Sequence, residues 1–90
     1  MKAKFSPLVQ KEVRRIRQKD RKLAERIEKQ IALFEEDPRH PSLRTHKLSG
    51  GIDNMWSISI TISLRMVYIL TKDGDALFVK IGIHDQVYRK

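Results

Sequence analysis

The sequence predicts a single α+β domain in which two helices pack on one face of a β-sheet. Two patterns favour this class. Apolar residues recur at helical spacing in the first half of the chain, whereas the second half alternates apolar and polar residues with a period of two. The chain has 90 residues, of which 40% are hydrophobic, which is enough for one modest core. We therefore expect residues 1–90 to form one domain.

The N-terminal elements are predicted to be a strand followed by a helix. The strand is expected at 3–5. Ser6 and Pro7 come next, and these residue types suit the N-cap and the first position of a helix. The apolar positions of this helix recur at spacings of four and three and end near Arg17: Val9, Val13 and Ile16.

A second amphipathic helix is predicted to begin around Asp20, a suitable N-cap residue. It should end at Asp37, because the residue before Pro38 avoids the helical region. Its apolar positions are Leu23, Ile27, Ile31 and Phe34. The remaining faces are mostly charged, so the two helices should form a hairpin with one apolar side.

The rest of the chain reads as a loop and an antiparallel meander. A short extended piece is expected at 45–48, followed by three strands at 56–63, 64–70 and 76–83. In the first of these strands, Trp56 and three isoleucines alternate with serine and threonine, which predicts one buried face. A turn at 72–75 places Gly74 where a positive φ is needed. We assign four aromatic residues to the core: Phe34, Trp56, Tyr68 and Phe78.

The charge of the chain is strongly positive and unevenly distributed. The net charge is +8; residues 1–47 carry 14 basic and 7 acidic side chains, whereas residues 48–90 carry 5 and 4. This asymmetry predicts a polyanionic partner, such as RNA, DNA or an acidic protein. The alternative is a helical surface that is merely well solvated.

The composition also excludes some classes of protein. There is no cysteine, so neither a disulfide framework nor a thiolate metal site is available. No stretch approaches the roughly 20 apolar residues that span a bilayer, and the N-terminus lacks the apolar core of a signal peptide. We expect a cytoplasmic protein that does not associate with membranes.

Three positions stand out as candidates for chemistry: His46 in the loop, Arg65 inside an apolar strand, and His84, which is followed by Asp85 and Tyr88. Each has a plain alternative, because a loop histidine is often a surface residue, an arginine in a strand can point to solvent, and a histidine after a strand can cap backbone groups. In the predicted meander, however, all three could gather near the open face of the sheet.

Two histidines and an arginine on a basic surface suit RNA cleavage without a metal ion. One imidazole takes the proton from a ribose 2′-hydroxyl and another group protonates the leaving 5′-oxygen, while a guanidinium holds the phosphate. A tyrosine ring could stack on a base. The carboxylates are too scattered for a magnesium site, and two histidines indicate zinc only weakly. We therefore expect no cofactor.

The segments HPSLRTHKLSGGIDNMWSISITISLRMVYIL and VKIGIHDQVYRK resemble the RelE/ParE superfamily of toxins, especially its YafQ-like branch. The similarity covers essentially the whole chain. It implies a RelE-like fold, with two N-terminal helices on a twisted antiparallel sheet. It also implies a type II toxin–antitoxin toxin, a ribosome-dependent and metal-free endoribonuclease that cleaves mRNA and is silenced by a cognate antitoxin.

The resemblance suggests roles for individual residues. THKLSG makes His46 a catalytic histidine, IGIHDQVY makes His84 the general acid or base, and LRMVY gives Arg65 a phosphate contact. Substrate binding is expected of Arg44, Lys47 and Tyr88, and the helices at 8–35 and the loop at 39–47 are expected to contact ribosomal RNA.

The segment SISITIS departs from YafQ-like enzymes, which have a further histidine and an aspartate there, and from other nucleases of the superfamily, which have Arg or Lys. Two alternatives therefore stay open: a ParE-like toxin that inhibits DNA gyrase, and a degenerate relative that binds its antitoxin without cleaving RNA.

Overall fold

The computed structural model describes residues 1–48 and 55–83. Two helices and five strands follow one another along the chain as β1 (Ala3–Phe5), α1 (Pro7–Lys19), α2 (Arg21–Glu36), β2 (His46–Lys47), β3 (Met55–Ser59), β4 (Leu64–Leu70) and β5 (Ala76–Ile83). A 3₁₀ turn at Pro41–Leu43 precedes β2. The predicted α+β class is confirmed.

Local signals in the sequence set the helix ends. The Ser6 hydroxyl accepts the N–H of Val9 at 3.2 Å, and the Asp20 carboxylate accepts the N–H of Leu23 at 3.0 Å. Both side chains act as N-caps, as predicted, by satisfying amides that have no partner inside the helix. The second helix stops before Asp37 and Pro38, which is also as predicted.

The sheet has the strand order β1-β5-β4-β3-β2. Four of its strands form antiparallel neighbours, and β1 pairs with β5 in parallel. The sheet is therefore mixed, not purely antiparallel as predicted. The difference arises because β1 runs in the same direction as β5. Both helices and the other strands separate these two strands in sequence.

The core lies between the helices and one face of the sheet. Helix residues Ile27, Ile31 and Phe34 meet Tyr68 and Phe78 there. The Phe34 ring lies 5.0 Å from the Tyr68 ring and 5.3 Å from the Phe78 ring, measured between centroids. In the described part of the chain, neither helix is long and apolar enough to cross a membrane.

The strand predicted at 56–63 is shorter and more deeply buried than expected. It ends at Ser59, and a bend follows in which the N–H groups of Ile60 and Thr61 both bond to the carbonyl of Leu64. Ile62 is consequently 91% exposed instead of facing the core. The prediction of a single buried face is also wrong, because Ser57 is completely buried beside the buried Ile58.

Candidate active site on the outer face of the sheet

The strand register places four side chains in a row on the face of the sheet that points away from the helices. His46 pairs with Ser57, Ser57 with Val67, and Val67 with Lys80. Directly opposite residues of antiparallel strands point to the same face, and alternation along β4 puts Arg65 there too. We call the surface formed by His46, Ser57, Arg65 and Lys80 the outer face.

Arg65 is buried in the outer face, with 8% of its surface exposed. Its Nε donates to the Ser57 hydroxyl at 3.1 Å, and its Nη2 donates to the Arg44 carbonyl oxygen at 2.7 Å. The alternative that Arg65 simply points to solvent is therefore wrong. One guanidinium joins β4 to β3 and to the loop before β2, because its donors diverge in a fixed geometry.

Arg44 adopts the left-handed conformation, with φ 45° and ψ 51°. It follows the 3₁₀ turn, and its N–H bonds to the Pro41 carbonyl at 3.1 Å. A residue with a Cβ in this region costs about 1 kcal/mol or more, so the surrounding contacts must hold it in place. The bond from Arg65 is one such contact, and the Arg44 side chain itself is exposed.

The predicted loop residues His46 and Lys47 form the short strand β2, within the extended piece that the sequence predicted. Both are exposed, but alternation sends their side chains to opposite faces. His46 lies across from Ser57 on the outer face. Lys47 lies on the helix side, where its Nζ is 5.7 Å from the centroid of the Trp56 ring. The structure therefore brings His46 and Arg65 to the same serine and separates Lys47 from them.

Two predicted site residues, His84 and Tyr88, lie outside the described residues, as does Asp85. Their roles remain sequence-based predictions. The remaining histidine, His40, lies in the loop as expected, and its Nδ1 accepts the N–H of Ser42 at 3.1 Å.

Lys80 is an outer-face cation that the sequence analysis missed. Counting by twos from the core residue Phe78 would place Lys80 in the core as well. A β-bulge changes this count: Tyr68 pairs with Phe78 and Val67 pairs with Lys80, so Val79 is an extra residue. Lys80 thereby becomes exposed on the outer face, and Ile81 takes the core-facing position. A charged residue inside an apolar strand was the available signal.

The charged side chains of strands β2–β5 are all basic. Strands β2–β5 contain Lys47, Arg65 and Lys80 together with His46, and they contain no aspartate or glutamate. Among residues 1–48 and 55–83, no group of three or more His, Asp or Glu side chains is arranged to hold a metal ion. The arrangement suits attraction of an anionic chain such as RNA.

The chain therefore combines a helical hairpin, a five-stranded sheet and a basic outer face. The family model described as the ParE toxin of type II toxin–antitoxin systems, parDE, matches residues 3–88. The chain belongs to this family and is a toxin of a type II toxin–antitoxin system, which confirms the predicted RelE/ParE superfamily. A search of curated proteins gave no match.

Solved structures share the fold at low sequence identity. The YoeB/ParE toxin from Agrobacterium tumefaciens is 20% identical over 93% of this chain and 99% of that chain, with a TM-score of 0.77. YoeB in the heterotetrameric YoeB–YefM toxin–antitoxin complex from Staphylococcus aureus is 19% identical over 93% and 97%, with a TM-score of 0.75. The YafQ toxin in the DinJ–YafQ complex from E. coli is 15% identical over 96% of each chain, with a TM-score of 0.76.

Proposed function

We propose that this toxin is a ribosome-dependent, metal-free endoribonuclease that cleaves mRNA and so inhibits translation. The observation that carries the proposal is the arrangement of the exposed His46 and the buried Arg65 around Ser57 on the outer face of the sheet. His46 is the cross-strand neighbour of Ser57, and the Arg65 guanidinium donates to its hydroxyl at 3.1 Å. A titratable imidazole beside a fixed guanidinium is what phosphodiester cleavage through the 2′-hydroxyl requires.

The proposed reaction assigns a role to each residue. One of the two histidines, His46 or His84, removes the proton from the ribose 2′-hydroxyl, which attacks the adjacent phosphorus. The other gives a proton to the departing 5′-oxygen, so that a 2′,3′-cyclic phosphate and a 5′-hydroxyl end result. Arg65 contributes its positive charge beneath the phosphate and fixes the positions of Ser57 and Arg44.

Substrate and partner contacts are proposed from exposed cations. Lys80 and Arg44 would bind RNA phosphates, Lys47 would bind at the sheet edge, and Tyr88 would stack on a base. The basic helices would contact ribosomal RNA in the cytoplasm. A cognate antitoxin would silence the toxin, because relatives of the same fold are found in YoeB–YefM and DinJ–YafQ complexes.

The proposal is tested by inducing the toxin without an antitoxin and mapping mRNA 5′ ends by primer extension alongside growth. We expect growth arrest and new in-frame 5′ ends with the wild type, and neither with His46→Ala or His84→Ala. His40→Gln, which keeps an acceptor near Ser42, is the matched histidine control and should behave as the wild type. Growth arrest with intact mRNA would refute the nuclease assignment, and cleavage by His46→Ala equal to that of the wild type would refute the catalytic role of His46. Cleavage of naked mRNA without ribosomes would refute the ribosome requirement alone.

A gyrase-inhibiting toxin is the second candidate, and the match to the ParE toxin family favours it. This function needs a binding surface and no proton transfer, so neither His46 nor His84 would be required. The same induction experiment separates the two candidates. Damaged or abnormally supercoiled plasmid DNA with intact mRNA, together with full toxicity of His46→Ala, would support gyrase inhibition.

A further inference from the structure

A second concave site lies beside the 3₁₀ turn, apart from the outer face. It is an open cleft of about 590 Å³ between the loop at 38–45 and the core-side residues of β3 and β4. Trp56 and Tyr68 line it. These two residues are cross-strand partners on the opposite face from Ser57 and Arg65, so the cleft lies apart from the outer face and, among its described lining residues, shares only Arg44 with the proposed phosphate contacts. Its volume lies within the range typical of small-molecule sites.

The wall of the cleft formed by β3 and β4 is aromatic, since Trp56 and Tyr68 both line it. The indole Nε1 of Trp56 is shielded from solvent and has no hydrogen-bond partner among the residues that the structure describes. Buried tryptophan N–H groups usually find a partner, because leaving one unpaired costs about 1–3 kcal/mol. Tyr68 lies beside Trp56, and burial raises the pKa of its phenol, so the hydroxyl keeps its proton at neutral pH.

The other wall is cationic. Arg39 and Arg44 both line the cleft and both are exposed, and no carboxylate is among its described lining residues. The left-handed backbone at Arg44 is held by the bond from Arg65 to its carbonyl, so the direction in which the Arg44 side chain leaves the chain is fixed. Strain of this kind in a residue lining a cleft is typical of a binding site.

From these features we infer that the cleft binds a nucleotide. A planar base would pack against the Trp56 ring, and the phosphate would lie between the Arg39 and Arg44 side chains. Stacking on an aromatic ring and pairing with guanidinium groups are the two contacts by which proteins hold single nucleotides. The ligand is either a free mononucleotide or one base of an RNA strand, since both present the same chemistry.

The test exploits the fact that the sequence contains one tryptophan, which gives one indole N–H resonance in a ¹⁵N-correlated NMR spectrum. The full chain is titrated with AMP, UMP, adenosine and inorganic phosphate in turn. We expect a saturable shift of the indole resonance with at least one mononucleotide, and weaker binding of adenosine and of phosphate. Absence of a shift at about 10 mM nucleotide, well above the affinity range of specific sites, would overturn the inference. An equal effect of phosphate alone would overturn it as well.

Two variants locate the site. Arg39→Ala should weaken nucleotide binding about tenfold, the size expected for one lost charge-assisted hydrogen bond. Arg21→Ala removes the same charge from an exposed helix position and should leave affinity unchanged. An equal loss of nucleotide affinity in both variants would indicate nonspecific electrostatic attraction and would refute the site. Trp56→Phe, followed through the backbone resonances of residues 38–45, should also weaken binding if the protein remains folded.

A short single-stranded RNA then identifies the source of the ligand. Binding at least tenfold tighter than AMP, with the same dependence on Arg39, would identify a base of an RNA strand. Equal or weaker binding than AMP would identify a free nucleotide. Neither measurement involves cleavage or a ribosome, so the inference stands or falls independently of the proposed nuclease activity.

Discussion

Arg65 in β4 donates from Nη2 to the backbone carbonyl of Arg44 at 2.7 Å, across 21 positions of sequence. The same guanidinium donates from Nε to the Ser57 hydroxyl. Arg65 therefore connects the outer face with the cleft beside the 3₁₀ turn, which we call the aromatic cleft. Ser57 lies on the outer face next to His46, and the Arg44 side chain lines the aromatic cleft. A buried arginine thus contributes to the geometry of both sites.

The first prediction concerns the stability contributed by Arg65. Arg65→Ala should lower the free energy of unfolding by about 2–4 kcal/mol, because it removes the hydrogen bonds from the buried guanidinium to the Ser57 hydroxyl and the Arg44 carbonyl. Arg65→Lys should lower it by about 1–3 kcal/mol, since one ammonium cannot reproduce the diverging donors. Urea unfolding measures both changes. Arg21→Ala is the matched control and should change stability by less than about 0.5 kcal/mol. A wild-type midpoint for Arg65→Ala would show that these bonds contribute little.

The second prediction concerns proton transfer by His46. His46→Gln keeps a hydrogen-bonding group of similar length but cannot exchange a proton near neutral pH, so mRNA cleavage in a translation extract should fall about 10²-fold or more. The fold should be unaffected because His46 is exposed in a two-residue edge strand. Near-normal cleavage by a folded His46→Gln protein would reduce the role of this residue to hydrogen bonding.

The third prediction concerns the salt dependence of RNA binding. Lys80→Gln should weaken binding to ribosomal RNA and reduce the slope of log affinity against log salt by about one, because one phosphate contact is lost. Lys72→Gln makes the same substitution in the exposed turn at the end of the β4–β5 hairpin and should leave the slope unchanged. Filter binding at several salt concentrations supplies both slopes. If the two variants show the same slope, Lys80 is not part of the RNA-binding surface.

The comparison of these residues shows what sequence patterns can and cannot predict. Caps, helix faces and the turn at Gly74, with its φ of 83°, were predictable because each depends on residues a few positions apart. Lys80 was not, because one bulged residue at Val79 reverses which side chains face the helices. Ser57 belongs to a series of serines and a threonine that alternate with isoleucine, which predicts a polar exposed face, yet it is buried and bonded to Arg65, a long-range contact that no local pattern encodes.

The aromatic cleft had no sequence signature for a related reason. Trp56 packs against the core, as predicted, but it is also the last aromatic residue toward the β2 edge in the cross-strand row that it forms with Tyr68 and Phe78. Its position beside the 3₁₀ turn follows from strand order and from the conformation of Arg44. Both are properties of the assembled sheet and loop.

The last prediction concerns the pH dependence of stability. Burial raises the pKa of Tyr68 above its ordinary value of 10.0. In the unfolded chain the phenol ionises near pH 10, whereas in the folded protein it stays protonated to higher pH. The folded state therefore binds more protons above pH 10. The stability associated with Tyr68 is complete below that pH and is lost as pH rises toward the folded-state pKa.

Tyr68→Phe should remove this pH-dependent part of the free energy of unfolding. Urea unfolding of both proteins between pH 7 and pH 11 should show a shallower decline for the variant above about pH 10. Parallel declines would mean that Tyr68 ionises equally easily in both states, and the phenol would then be more accessible from the cleft than its burial indicates.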